Sequence, residues 1–362
     1  MIIEKKPEIL DYISKISDIN DLNLSLSDMF LDIINNDEIA SKKEIEVLAK
    51  TYNLSEKEVL LSKIIEYWGI DADEEDNDEI IKQFIDPAIK EADIKEFINN
   101  PYYKTIKVEK VKEGNMSLVL DHYRPYEIFA YDDIKVSKDY HEISSLAFFK
   151  EEFPFIALNE KKVTWMSITP NEIKTMEKAI KEANGNVIVF GLGLGYFPFM
   201  ISLKESVKSI TIIEKDEKII SLFEKNLLPQ FPYKEKIIIQ KKDAFEVIKS
   251  TLNYNYAFVD LWHTAEDGIE TYLTFKRNED NSPYITFSYW LETSFYALLR
   301  RAFISLILEQ LDSYKEKHYQ QAETVFDKLV NHYYYQTKNL RVSSVKQLED
   351  LLSDTTLLDL AL

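Results

Sequence analysis

The sequence predicts an α/β protein built on a doubly wound, mostly parallel sheet. Three observations carry that prediction. Between Val187 and Tyr289 short apolar runs alternate with amphipathic segments, the strand–helix–strand order that a parallel sheet requires. The runs VIVF, SITIIE, KIIIQ and YAFV are nearly continuous in apolar residues, as suits strands covered on both faces. Finally, Gly191, Gly193 and Gly195, three of the chain's 7 glycines, stand together where the first run ends. Such a cluster on a glycine-poor background marks a tight turn or a close approach to a ligand.

Composition bounds the rest. The 362 residues are 45% hydrophobic, enough for a sizeable core and about two to three domains. No uncharged apolar run is long enough to span a bilayer, and MIIEKKPEILDYISK lacks an apolar signal core, so a cytoplasmic location is expected. The chain has no cysteine, which excludes disulfides and thiol catalysis and leaves no thiolate for a structural zinc site; no metal is expected. The net charge is −19, and the first hundred residues carry 25 acidic against 11 basic side chains. That field repels phosphate backbones, so no nucleic-acid partner is expected, and a cationic or neutral substrate suits it better.

Residues 1–100 read as an acidic domain of short helices. Ser41 with Glu44, and Ser55 with Glu58, form capping-box patterns ahead of apolar-periodic runs. Residues 41–68 have the length of a helix-turn-helix pair, but their acidity favours a plain helical hairpin. The run Asp71–Glu79 lacks the glycine and terminal glutamate of a calcium loop and reads as a solvated acidic loop.

Residues 101–168 read as a small β-rich segment. YYKTIKVEKV and MSLVLDHYRPYEIFAY are strand-like, with KEGN as the turn between them. ALNEKKVTWMSI adds a second hairpin carrying Trp165. The sheet domain is placed at 169–289. Its leading helix starts with Thr169 as N-cap, Pro170 in the first position and Glu172 closing a capping box, and it ends at Asn184-Gly185. YITFSY is read as a fifth strand. Residues 290–362 read as a helical extension, with LLRRAFISLILEQLDSYKEKHYQQAETVFDKLVNHYYY as one long helix or two.

The candidate site follows from the sheet. The turn Gly191–Gly195 opens a helix whose free N–H groups face the carboxyl edge of the sheet, where open α/β sheets bind ligands. Glu214 ends the second strand, where a carboxylate can accept both hydroxyls of a ribose. Tyr196 stands where the dinucleotide fingerprint wants its third glycine, so the spacing is G-x-G-x-G. Asp243 follows the third strand, where it can accept from an adenine amine, with the Ala244 N–H facing a ring nitrogen; it reads equally as the N-cap of AFEVIKS.

In this order and spacing, VIVFGLGLG, IIEKD, KKDAF and FVDLW resemble the class I S-adenosylmethionine-dependent methyltransferases, over Thr169 to Arg277. The resemblance implies a Rossmann-like sheet and S-adenosyl-L-methionine as cofactor. Gly191, Gly193 and Gly195 would line its methionine and ribose, Glu214 would hold the ribose, and Asp243 and Ala244 the adenine. Asp260, ending the fourth strand, would sit beside the sulfonium. Asp260 and His263 are the candidate bases, each with a structural reading beside it. Trp165, Trp262 and Trp290 would roof the pocket or pack in the core. Methyl transfer asks chiefly for alignment and water exclusion, so the acceptor, a small molecule or a protein, stays open.

Two departures from that family stand out. DLWHTAEDG replaces an NPPY-type signature after the fourth strand, which weighs against methylation of a base amine or a glutamine amide. The tail reads as helix where antiparallel final strands are usual, so either the sheet is truncated or the tail is a homodimer or lid element. The spermidine-synthase-like aminopropyltransferases form the alternative. EGNMSLVLD and YHEIS resemble the β segment before their sheet, but their aspartate-rich run after the fourth strand is missing. A non-catalytic protein that binds the nucleoside is the remaining reading.

Overall fold

The computed structural model describes residues 1–36, 39–311 and 322–362. Five strands form its central sheet: β1 (Gly185–Phe190), β2 (Val207–Glu214), β3 (Ile237–Lys241), β4 (Tyr256–Val259) and β5 (Thr286–Tyr289). All four pairings are parallel, and the order across the sheet is β3-β2-β1-β4-β5. Val187–Phe190 and Tyr256–Val259 are wholly buried, as their unbroken apolar sequences require. The chain steps outward from β1 to β3, then returns to lay β4 on the other side of β1. That reversal leaves a crevice between the carboxyl ends of β1 and β4.

Helices alternate with these strands. α1 (Pro170–Glu182) leads into β1, α2 (Tyr196–Ser202) and α3 (Glu217–Asn226) follow β1 and β2, and the short α4 (Ala244–Val247) follows β3. α5 (Ala265–Asn278) follows β4, and α6 (Glu292–Leu311) follows β5. The fifth strand is parallel, and the chain then passes directly into α6.

Residues 101–168 differ from the sequence reading at their start. YYKT forms a helical turn, Pro101–Thr105, because Asn100 accepts from the Tyr102 N–H at 2.9 Å and Pro101 takes the first helical position. The ring of Tyr102 is fully buried by this turn, so an aromatic run that looks strand-like is spent on tertiary packing. Only Val111–Glu113 remains a strand there. It belongs to an antiparallel sheet ordered Val163–Ile168, Phe153–Glu160, Met116–Tyr123, Val111–Glu113. Val163–Ile168 runs directly into α1, which brings this sheet over the crevice.

In the first hundred residues the helix Pro7–Ile34 serves two cores. Ile9, Ile13 and Ile16 join the core of the main sheet. Leu26, Phe30 and Ile33 join a second core with Ile45, Leu60 and Ile64 and with Tyr126, Ile128, Leu146 and Phe148. Ser55 and Glu58 make the full capping box, whereas Ser41 only accepts from the Glu44 N–H. Ile2–Ile3 pairs in parallel with Arg341–Val342, tying the two ends of the chain together.

In α6 both arginines are spent on ion pairs. Arg301 Nε donates to Glu142 Oε1 at 2.8 Å, and Arg300 pairs with Asp354. Helices resume at Val325–Thr337, Val345–Leu351 and Asp354–Ala361; the stretch 312–321, read as helix in the sequence, lies outside the described residues. Among the described residues no helix is long and apolar enough to cross a membrane.

Candidate active site

The three clustered glycines do different jobs. A Cβ on Gly191 would lie 2.0 Å from the Asp260 carbonyl oxygen, because β1 and β4 exit side by side, held by Asp260 N–H donating to Phe190 O at 2.9 Å. Gly195 begins α2, and a Cβ there would lie 2.3 Å from the ring of Phe223. Gly193 is different. Its φ is 51°, and nothing lies within 4 Å of its missing Cβ. Two glycines therefore permit packing, while the third leaves main chain bare beside the cavity.

Glu214 is fastened to that turn. Its Oε2 accepts from the Leu192 N–H at 3.2 Å, and its Oε1 accepts from the Asp216 N–H at 2.8 Å. Each oxygen keeps a further lone pair for a ligand. The turn is also held from outside the sheet: Tyr102 Oη donates to the Leu194 carbonyl at 2.6 Å, and Asn100 Nδ2 donates to Tyr196 Oη at 2.9 Å.

These pieces enclose a cavity of about 400 Å³ at the β1–β4 crevice. The glycine turn and Glu214 form one wall, Asp260 to His263 another, and residues 164–168 overhang them. The cavity thus gathers Gly191, Gly193, Gly195, Glu214, Asp260 and His263, with an edge of Trp165, Trp262 and Trp290. Trp262 and Trp290 are mainly core: Trp262 Nε1 donates to the Trp290 carbonyl at 3.1 Å, and Trp290 Nε1 to Thr175 Oγ1 at 2.8 Å. His263 is exposed at the rim. Asp243 and Ala244 do not line the cavity. Asp243 Oδ1 accepts from the Phe245 N–H at 2.7 Å and so caps α4, and among the described residues Oδ2 makes no hydrogen bond.

One cavity residue was read otherwise in the sequence. Glu172 closes no capping box, for Thr169 makes no side-chain cap, and its carboxyl lines the cavity instead. The available signal is Met176, one turn further along α1, which also lines the cavity and shares its helix face. Among the described residues neither Glu172 nor Asp260 makes a side-chain hydrogen bond or ion pair. Burial pushes the Asp260 carboxyl up to about 7. Burial, with the charge of Asp260 beside it, raises the Glu172 carboxyl well above the ordinary carboxylate range. Lys215 is the one cationic side chain among the residues lining the cavity, and it is exposed.

No protein-family model and no curated protein matches the chain. Solved structures do. The spermidine synthase from Thermotoga maritima is 15% identical over 42% of this chain and 59% of its own, with a TM-score of 0.30. A spermidine synthase in complex with the transition-state analogue AdoDATO is 16% identical over 42% of this chain and 60% of its own, with a TM-score of 0.32. A precorrin 8W decarboxylase from Methanobacterium thermoautotrophicum is 20% identical over 36% of this chain and 69% of its own, with a TM-score of 0.27. The chain thus spans about three fifths of the length of the two spermidine synthases.

Proposed function

We propose that the cavity binds S-adenosyl-L-methionine and that the chain is a transferase carrying its methyl group to a small-molecule or protein acceptor. One observation supports this most: three carboxyls, Glu172, Glu214 and Asp260, surround a cavity beside the bare main chain of Gly193. A dinucleotide would bring an anionic pyrophosphate against them, at a Coulomb cost that grows as water is excluded. A nucleoside bearing a sulfonium brings a ribose for Glu214 and a positive charge for Asp260. A doubly wound sheet, with helices on both faces of the crevice, is part of this reading.

When bound, such a cofactor supplies an activated carbon electrophile. The residues of the chain do the rest. Glu214, fixed by two main-chain N–H groups, orients the ribose. Asp260 stabilises positive charge at the reacting centre. Trp165 and the strand that carries it shield the centre from water.

A second reading, transfer of an aminopropyl group from decarboxylated S-adenosylmethionine, is favoured by a different observation. Among the described residues Lys215 is the only lysine or arginine lining the cavity, and it follows directly on Glu214. A methionine carboxylate would rest on main-chain N–H groups alone, and a decarboxylated ligand would not need them. Calorimetric titration with S-adenosylmethionine, S-adenosylhomocysteine, decarboxylated S-adenosylmethionine and NAD separates the readings. Binding of NAD alone removes both, and a preference for the decarboxylated compound promotes the second.

A further inference from the structure

Glu172 and Asp260 come from different elements, the first turn of α1 and the end of β4, and meet in one cavity. Both are partly buried in the cavity wall, and among the described residues nothing cationic pairs with either. Two carboxyls facing one cavity favour keeping protons or taking up ligands of matching charge. Under the function proposed above, a sulfonium supplies one positive charge. Glu214 is already engaged with two N–H groups, so one carboxylate is left over.

Resting on that reading, we infer that Glu172 is a catalytic residue of this site: with Asp260 it takes up a protonated amine as the acceptor and removes its proton. The step balances. The ammonium gives one proton to the carboxylate pair, and the freed nitrogen lone pair forms the new N–C bond. The C–S bonding pair leaves on sulfur, which becomes a neutral thioether. Asp260 beside the reacting carbon and Glu172 on the opposing helix give the pair one member for each cation. The raised proton affinity of the pair suits it to act as base near neutral pH. Tyr123, Tyr196, Glu214, Lys215 and His263 are the other titratable groups facing it.

The test uses the full chain, wild type and Glu172→Gln, in calorimetry near pH 7. S-adenosylmethionine is titrated first; if wild type does not bind it, the functional reading fails, and this inference falls with it for that separate reason. With S-adenosylhomocysteine then bound, n-alkylamines and α,ω-diamines are titrated in two buffers of different ionisation enthalpy. The expected result is amine binding with proton release in wild type. Glu172→Gln should bind amines roughly tenfold more weakly or worse, the loss of a charge-assisted bond, with proton release reduced and the cofactor still bound. Glu172→Asp should restore part of both. Absence of amine binding in wild type, or unchanged amine affinity and proton release in Glu172→Gln, overturns the inference. Glu172→Gln is near-isosteric, and circular dichroism checks its fold; if it does not fold, Glu172→Asp carries the same comparison.

Discussion

Glu214 Oε2 and the Leu192 N–H meet at 3.2 Å, which joins the end of β2 to the glycine turn after β1 across 22 residues of sequence. Glu214 is thereby fastened to the turn that borders the cavity. Glu214→Ala should weaken S-adenosylmethionine binding. Each lost bond to a charged acceptor is worth about 1.5–3 kcal/mol, and non-additivity makes a tenfold to thousandfold loss the expected range. Calorimetry measures the loss, and circular dichroism confirms the fold. A folded variant with wild-type affinity would place the ribose elsewhere.

The glycines should respond unequally to substitution. Gly191→Ala drives a Cβ to 2.0 Å from a backbone oxygen that cannot move without separating β1 from β4, so no stable folded protein is expected. Gly193→Ala meets nothing within 4 Å and bears only the strain of φ 51°, about 1 kcal/mol. It should fold, and its added methyl, standing where a ligand would approach the main chain, should reduce cofactor affinity by roughly tenfold or more, the fold-change that corresponds to about 1.4 kcal/mol. Thermal melts and calorimetry on the two variants check both statements. A stable Gly191→Ala, or a Gly193→Ala with unaltered affinity, would contradict the division of labour among them.

Much of this arrangement was legible in the sequence. The five parallel strands lie where apolar runs alternate with helices, and the glycine turn and Glu214 fall at strand ends because chain direction alone puts them there. Glu172 was not legible, because a glutamate three residues after a threonine has the same local pattern whether it caps the helix or enters a cavity. Only the tertiary placement of α1 at the edge of the cavity distinguishes the two. Tyr102 and Tyr103 were read as strand residues, since aromatic side chains buried by a helical turn carry no periodicity of their own. The second core has no local signature, because it joins residues 26–89 to residues 126–148 and no sequence window spans both.

Asp260 should make the stability of the ligand-free protein pH-dependent. Folded, its carboxyl holds a proton up to about pH 7. Unfolded, it releases the proton near about 3.9. The folded state therefore binds more protons between those values. The contribution is complete below about pH 4 and is lost as pH rises through about 7. Relative to Asp260→Asn, the wild-type melting temperature should fall between about pH 5 and pH 8, by an amount reflecting a few kcal/mol at most. A saturating sulfonium ligand should reverse the trend by favouring the ionised pair. Parallel melting curves for wild type and Asp260→Asn across the window would show that Asp260 is ionised throughout.

Asp243 offers the sharpest separation of a structural from a binding role. Its Oδ1 caps α4 through the Phe245 N–H, and among the described residues its Oδ2 makes no hydrogen bond. Asp243→Ala removes the cap and should cost about 1 kcal/mol of stability. Asparagine caps as well as aspartate, so Asp243→Asn should melt like wild type. Its second position then carries an amide donor where the carboxylate had an acceptor. If Oδ2 receives the adenine amine, Asp243→Asn should lose roughly tenfold or more in S-adenosylmethionine affinity at unchanged stability. Calorimetry with the S-inosyl analogue, which replaces that amine by a carbonyl, supplies the partner measurement. The analogue should bind wild type weakly and regain affinity in Asp243→Asn, because the amide now donates to the carbonyl. Wild-type affinity for S-adenosylmethionine in Asp243→Asn would leave Asp243 with its cap alone and move the adenine to another part of the crevice.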